Sequence, residues 1–428
     1  MFPAAVIRKL ARSEEMFAQS QTYFGATVLL SGPVDIDAMS AAFEALLQAH
    51  PVLAGHLDRG PDGLHQIVAD DYQHPGLWVT GGPGRPAAPT ARMRLNQAVA
   101  LVNLRLHFVD DEHSELTLYS HHCMVDGQHQ FGLLSELFSW YTDLVTTGRI
   151  EPVAARPAPR PLEALLEERG IHKGPRSGLE RFLSVMYAYD LTPSDRNSAG
   201  GNPALPELVP SAQCLLTESE TTALVTFCRE AKLSLSAVIG AAILLAEWEL
   251  RDAPDIPVPY LYPVDLRLLL TPPVDATEST NPLGIAGYLA HIRPGTGIIE
   301  LATDIIETFR NDLSEGVIQQ SLLHFNLQYG GTPPGLPDVV MVTEGGVVPE
   351  IRTPPALTLD GMRTEFHTAS AAGVDLYTTS ILKGRLQIEH LSHSPEPERP
   401  LRQVQSLLRS VETEAEAEAA DEDDWLAE

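Results

Sequence analysis

The stretch "YSHHCMVDG", residues 119–127, carries the residues of this chain best suited to chemistry. A histidine titrates near neutrality, so it can take a proton from a hydroxyl or an amine. No covalent intermediate is needed if the acyl donor is already activated, as in a thioester. His121 and His122 cannot share that task. On a strand, Leu116, Leu118, Ser120 and His122 face one way and His121 the other. Asp126 falls in the turn, and Gly127 lets the chain bend sharply into the next element. Metal binding is the rival use, since His122, Asp126 and His129 are all ligand types. They run through a turn rather than sharing a helical face, and neither a fourth ligand nor a zinc spacing accompanies them, so no metal is expected. Other chemistries lack their signatures: there is no GxSxG elbow, no cysteine in a nucleophile setting, no P-loop and no GxGxxG.

The flanking pattern says which elements hold these residues. "VALVNLRLHFVD" alternates and "ELTLYSHH" follows it, which predicts a strand pair with a turn near Asp110 to Ser114. Beyond Gly127, Phe131, Leu134, Phe138 and Tyr141 share a helical face. The motif is therefore a strand–turn–helix junction. Upstream, "YFGATVLLSGPV" predicts a strand closed by Gly32 and Pro33. "DIDAMSAAFEALLQAHPVL" predicts an amphipathic helix capped by Asp35 or Asp37. The turn-rich segment 190–212 reads as a linker between two halves, 1–189 and 213–411. The second half begins with the helices "TESETTALVTFCREAKL" and "SLSAVIGAAILLAEWEL". Strands follow in "VPYLYPVDLRLLL", "LPDVVMVTEGG" and "LYTTSILKGRLQIEHLSH", the last a pair joined at Lys383 and Gly384. Residues 412–428 read as an acidic disordered tail.

A chain of 428 residues with 44% hydrophobic and 20% charged residues is globular and long enough for two cores. The net charge is −28. Nine acids and no base lie between Glu412 and Glu428, so the body is acidic as well. Such a surface argues against nucleic acid and anionic membrane as main partners. Three cysteines without a CxxC pair point to a reducing compartment. The N-terminus has no secretory pattern, and "SAVIGAAILLA" is about half a bilayer span. The expectation is a cytoplasmic protein, with peripheral contact at the inner face of the membrane left open. Nothing demands an oligomer, and a monomer is expected.

HHxxxDG resembles the signature of the condensation-domain and chloramphenicol-acetyltransferase-like superfamily. Beyond that motif, "VIRKLARSEEMFAQ", "EALLQAHPVLAGHL", "ELTLYSHHCMVDG", "RFLSVMYAYD", "YPVDLR", "GVIQQSLLHF" and "GTPPGLP" resemble the phthiocerol/phthiodiolone dimycocerosyl transferase family over nearly the whole chain, fading in the tail. That family consists of polyketide-associated acyltransferases of mycobacteria. The resemblance implies an α/β (α+β) fold of two chloramphenicol-acetyltransferase-like halves, with the active site at their interface and channels entering from both faces. It implies that His122 is the catalytic base and that Asp126 and Gly127 support the site structurally. Arg267, in "PVDLR", would be the partner of Asp126. Asn281, in "STNPLG", matches a segment near the crossover and receives no chemistry.

The activity implied is transfer of long methyl-branched acyl chains to the two hydroxyls of a lipid diol, phthiocerol or phthiodiolone. The donor would be a thioester on the phosphopantetheine arm of a polyketide synthase carrier domain, with acyl-CoA as a surrogate and no bound cofactor. Carrier domains are acidic, so a basic docking patch is expected, with Arg229, Lys232 and Arg310 on predicted helices as its candidates. Two other readings stand beside this one. The same histidine could serve an amine acceptor, as in peptide-synthetase condensation, or the chain could be a non-catalytic carrier-binding scaffold.

Overall fold

In the computed structural model, which describes residues 5–69, 74–82, 93–188, 204–251, 255–324, 339–369 and 375–425, the alternating segments assemble into two six-stranded sheets. The first runs in the order Leu77–Thr80, Val102–Phe108, His113–His121, Tyr23–Ser31, Thr358–Thr368, Glu207–Leu208. The predicted strand pair is antiparallel, with Ser114 opposite Phe108. One face of this sheet carries Ala26, Val28, Leu30, Leu104, Leu116 and Leu118. These pack with Phe43 and Leu46 of the helix Ile36–Ala49 and with Leu134 and Phe138 of the helix Gly127–Thr147. Asp35 is the residue that caps the first of these helices, accepting a hydrogen bond from the Ala38 N–H.

The second sheet has the order Ser211–Leu215, Arg385–Ser392, Asp375–Leu382, Val340–Val347, Val258–Asp265, Leu283–Ala290. Its hairpin turns at Lys383 and Gly384, both with positive φ. The helix Leu235–Glu249 is apolar on nearly all sides because it is covered on nearly all sides: its residues share one core with the sheet and with the helices Ile298–Ser314 and Glu398–Trp425. Thr217 and Glu220 form a reciprocal capping box at the start of the helix Glu218–Glu230. No single helix among the described residues is long and apolar enough to cross a membrane.

Each half lends structure to the other. Thr358–Thr368 leaves the second half and pairs along Tyr23–Ser31, from Thr358 opposite Ser31 to His367 opposite Tyr23. In return, Leu162, Leu165 and Leu166 of the helix Leu162–Glu168 join Leu266, Leu270, Val274 and Ile318 in a core of the second half. Arg181 holds both carboxylate oxygens of Asp312, at 2.8 and 2.6 Å. The contiguous division 1–189 and 213–411 therefore differs from the packing at both exchanged segments, because an open strand edge and an apolar helix face are each satisfied across the boundary.

The helix Glu398–Trp425 continues regular backbone into the segment expected as a disordered tail, since its alanines and glutamates are strong helix formers. Within the linker 190–212, residues 190–203 lie outside the described residues, as does "GTPPGLP". Residues 207–208 and 211–212 are already strand.

Candidate active site

The strand His113–His121 ends one residue before His122. His122 thus takes its direction from the turn, and the simple alternation that grouped it with Ser120 stops short of it. Its own N–H donates to the Thr22 carbonyl at 2.9 Å. The ring stacks on Phe17, with centroids 4.2 Å apart and planes 21° from parallel. Nδ1 lies 3.1 Å from the Val125 carbonyl. A carbonyl only accepts, so Nδ1 carries the ring proton and Nε2 keeps its lone pair. His122 is half-buried. Burial pushes its pKa down, while Asp126, the neighbouring carbonyls and the Asn281 side chain push the other way; burial prevails.

His121 is built in the opposite sense. The Cys123 N–H donates to its Nδ1 at 3.2 Å, which leaves the proton on Nε2, 2.9 Å from Gln97 Oε1. Gln97 Nε2 faces His65 Nε2 at 3.4 Å, and His65 Nδ1 meets the buried Glu15 carboxylate at 2.8 Å. Burial, with His122 and His65 nearby, takes the His121 pKa down to about 3. It is a neutral strut within the core. Sequence reasoning separated the two roles but could not see the Glu15–His65–Gln97 chain, whose members lie far apart along the polypeptide.

Asp126 accepts the His129 N–H through Oδ1 at 3.0 Å, capping the helix Gly127–Thr147. Its Oδ2 meets Arg267 Nη2 at 2.7 Å, with side chains only 5% and 7% exposed. Arg267 also reaches the Asp265 carboxylate at 3.2 Å and the Ala276 carbonyl at 3.2 Å. The structure thus brings Asp126 and Arg267 together across the two halves, and both Asp126 oxygens are engaged. Gly127 opens the helix, and a Cβ there would meet nothing within 4 Å. His129 stays inside the core with both ring nitrogens unpartnered, and burial takes its pKa down to about 4. Among the described residues no group of three His, Cys, Asp or Glu side chains is arranged to hold a metal.

Two residues from elsewhere complete the surroundings. Asn281 Nδ2 donates to the His122 carbonyl at 2.6 Å, and Gln128 Nε2 donates to the Gly345 carbonyl at 3.0 Å. Both cross between halves. Arg229, Lys232 and Arg310 are exposed and form no ion pair among the described residues. Lys232 lies in the turn after the helix Glu218–Glu230, with φ 58°, rather than on a helix.

A tautomer-fixed imidazole at the junction of two interlocked halves can accept a proton, and comparison with known proteins places the chain that carries it in a family. The C-terminal portion, residues 205–391, matches the family described as phthiocerol/phthiodiolone dimycocerosyl transferase C-terminus. Over 418 residues the chain is 48% identical to the phthiocerol/phthiodiolone dimycocerosyl transferase of Mycobacterium tuberculosis (strain ATCC 25618 / H37Rv), covering 97% of this chain and 99% of that one. The chain belongs to this family. As a phthiocerol/phthiodiolone dimycocerosyl transferase family member it is an acyltransferase. Polyketide synthase associated protein 5 from Mycobacterium tuberculosis superposes with a TM-score of 0.87 at 47% identity, over 96% of this chain and all of that one. The first condensation domain of the CDA synthetase shares the fold at a TM-score of 0.61 and 16% identity, over 95% of this chain and 97% of that one. The two-half α/β architecture is thus the condensation-domain, chloramphenicol-acetyltransferase-like one.

Proposed function

We propose that the chain transfers a long acyl group from a thioester to the hydroxyls of a lipid diol, with His122 as general base. The observation that carries this reading is the hydrogen bond from Nδ1 to the Val125 carbonyl, which leaves Nε2 as a lone-pair acceptor at the junction of the halves. His122 Nε2 takes the hydroxyl proton as the oxygen attacks the thioester carbonyl. The tetrahedral intermediate then collapses, the C–S bond breaks, and the imidazolium returns the proton to the departing thiolate. The products are an ester and a thiol. Asp126 and Arg267 hold the turn and touch no substrate.

The names of the relatives support mycocerosyl-type acyl chains and phthiocerol- or phthiodiolone-type diols as the substrates. The name of the polyketide synthase associated relative supports association with a polyketide synthase. The donor we assign is a carrier-bound thioester on a phosphopantetheine arm, with acyl-CoA as a surrogate. Arg229, Lys232 and Arg310 are the cations assigned to carrier docking. Reversing all three charges is expected to raise KM for a carrier-bound donor and to spare acyl-CoA; equal losses with both donors reject the assignment.

The deciding assay follows thiol release from a long-chain acyl-CoA with a long-chain alcohol, comparing wild type with a folded His122→Ala variant. A loss of at least about a hundredfold is expected. Equal activities rule out His122 as the base. Turnover with an amine but not with an alcohol favours the condensation reading instead.

A further inference from the structure

Asn281 occupies an unusual position for a residue outside the motif. It follows the short strand Ser279–Thr280, which pairs in parallel with Arg160–Pro161. Thr280 Oγ1 donates to the buried Glu14 carboxylate, which Arg8 grips with both terminal nitrogens at 2.6 and 2.7 Å. This clasp presses the 279–281 segment of the second half against the first. Asn281 then adopts a φ of 43°, in the left-handed region that asparagine tolerates better than most residues. It is 1% exposed. Nδ2 donates to the His122 carbonyl at 2.6 Å, while Oδ1 is buried without a partner. A buried amide oxygen without a hydrogen bond is costly, and the folded chain keeps one next to its reactive imidazole.

We infer that Asn281 is a positioning residue for acyl transfer, reaching from the second half to fix the main chain of His122 and thereby the direction of Nε2. The inference rests on the reading of His122 as the base. Besides its backbone bond, the Asn281 side chain favours the protonated ring. Other titratable or charged groups beside the ring are Asp126 on the turn and His121 at the strand end, with Arg267 behind Asp126. The amide thus acts on both the place and the proton affinity of the base. It also makes the base depend on closure of the two halves, since the donor and the carbonyl belong to different ones.

The test uses the full chain in three forms, Asn281→Gly, Asn281→Asp and His122→Ala, beside wild type. Glycine accepts the positive φ and lacks the amide; aspartate keeps the shape, loses the donor and adds a negative charge. Steady-state rates with a long-chain acyl-CoA and alcohol are measured from pH 5 to 9, with thermal melts to score folding. The expected result is a kcat roughly ten- to a hundredfold lower in both Asn281 variants, with KM for either substrate nearly unchanged. The acid limb of the kcat profile, where His122 becomes protonated, is expected to move to lower pH in Asn281→Gly and to higher pH in Asn281→Asp. Wild-type kcat in both folded variants, or losses that only track the folded fraction with no movement of the limb, overturns the inference while leaving His122 as the base. Full activity of His122→Ala overturns both.

Discussion

Adjacent histidines in this chain hold opposite tautomers because their neighbours differ. A backbone N–H at Nδ1 makes His121 a neutral strut, and a backbone carbonyl at Nδ1 leaves His122 with a free lone pair on Nε2. No property of the residue type separates them. Behind them, Asp126 and Arg267 form a pair so buried that neither charge can turn to water. Removing one partner strands the other. Arg267→Ala is therefore expected to cost about 3–5 kcal/mol in urea unfolding. Adding Asp126→Asn to that variant should recover part of the loss, because the stranded carboxylate is gone; a simple sum of the single losses would mean the two groups do not depend on each other.

At the scale of elements, the His122–Asp126 turn is held by a strand on one side and a capped helix on the other, and the sheet beneath is tuned for close contact. Gly25 lies opposite Tyr119 on one side and Glu365 on the other. A Cβ there would meet the Tyr119 ring at 2.9 Å and Glu365 Cβ at 3.2 Å. The space is taken because Tyr119 leans across to donate its hydroxyl to Glu365 at 2.8 Å. Burial alone would raise the Glu365 pKa, but hydrogen bonds from His367, Tyr119 and Thr27 outweigh it and bring it down to about 2. Gly25→Ala should push Tyr119 off this network and destabilise the chain by about 1–3 kcal/mol, measured by thermal or urea denaturation. A neutral effect would mean the Tyr119 ring moves aside freely.

The whole molecule is an interlock. Thr358–Thr368 supplies a strand of the first sheet, the 160–188 region packs on the second, and Asn281, Arg267 and Gln128 tie the halves around the motif. Its acid response is a property of that shared interior. His121 and His129 have folded pKa values near 3 and 4, below the ordinary value of about 6.5 that the unfolded chain presents. Between about pH 6.5 and 4 the unfolded chain binds protons there and the folded chain does not, so stability falls as the pH drops. Glu365 adds a loss in the same direction below about pH 4.5. Glu344 and Glu389, whose pKa values burial raises, oppose these in part. Urea unfolding at pH 7.5, 6 and 5 is expected to show steadily lower stability. His129→Leu, which removes two unpartnered ring nitrogens from the core, should flatten the slope.

Local chemistry is what the sequence determines by itself here. The strand–turn–helix junction, the caps at Asp35 and Thr217, and the turn at Lys383 and Gly384 depend on residues a few positions apart, and periodicity and capping types record them. Strand alternation reaches His121 but not His122, whose direction comes from the turn, and the pairing of Asp126 with Arg267 follows from resemblance rather than spacing. Tertiary structure alone decided what holds those residues. The Asn281 amide on the His122 carbonyl, the Glu15–His65–Gln97 chain behind His121 and the exchanged strand all join positions separated by dozens to hundreds of residues. Such contacts leave no period in the sequence, because what selects them is the closing of a sheet edge and the satisfaction of buried polar atoms once both halves are in place.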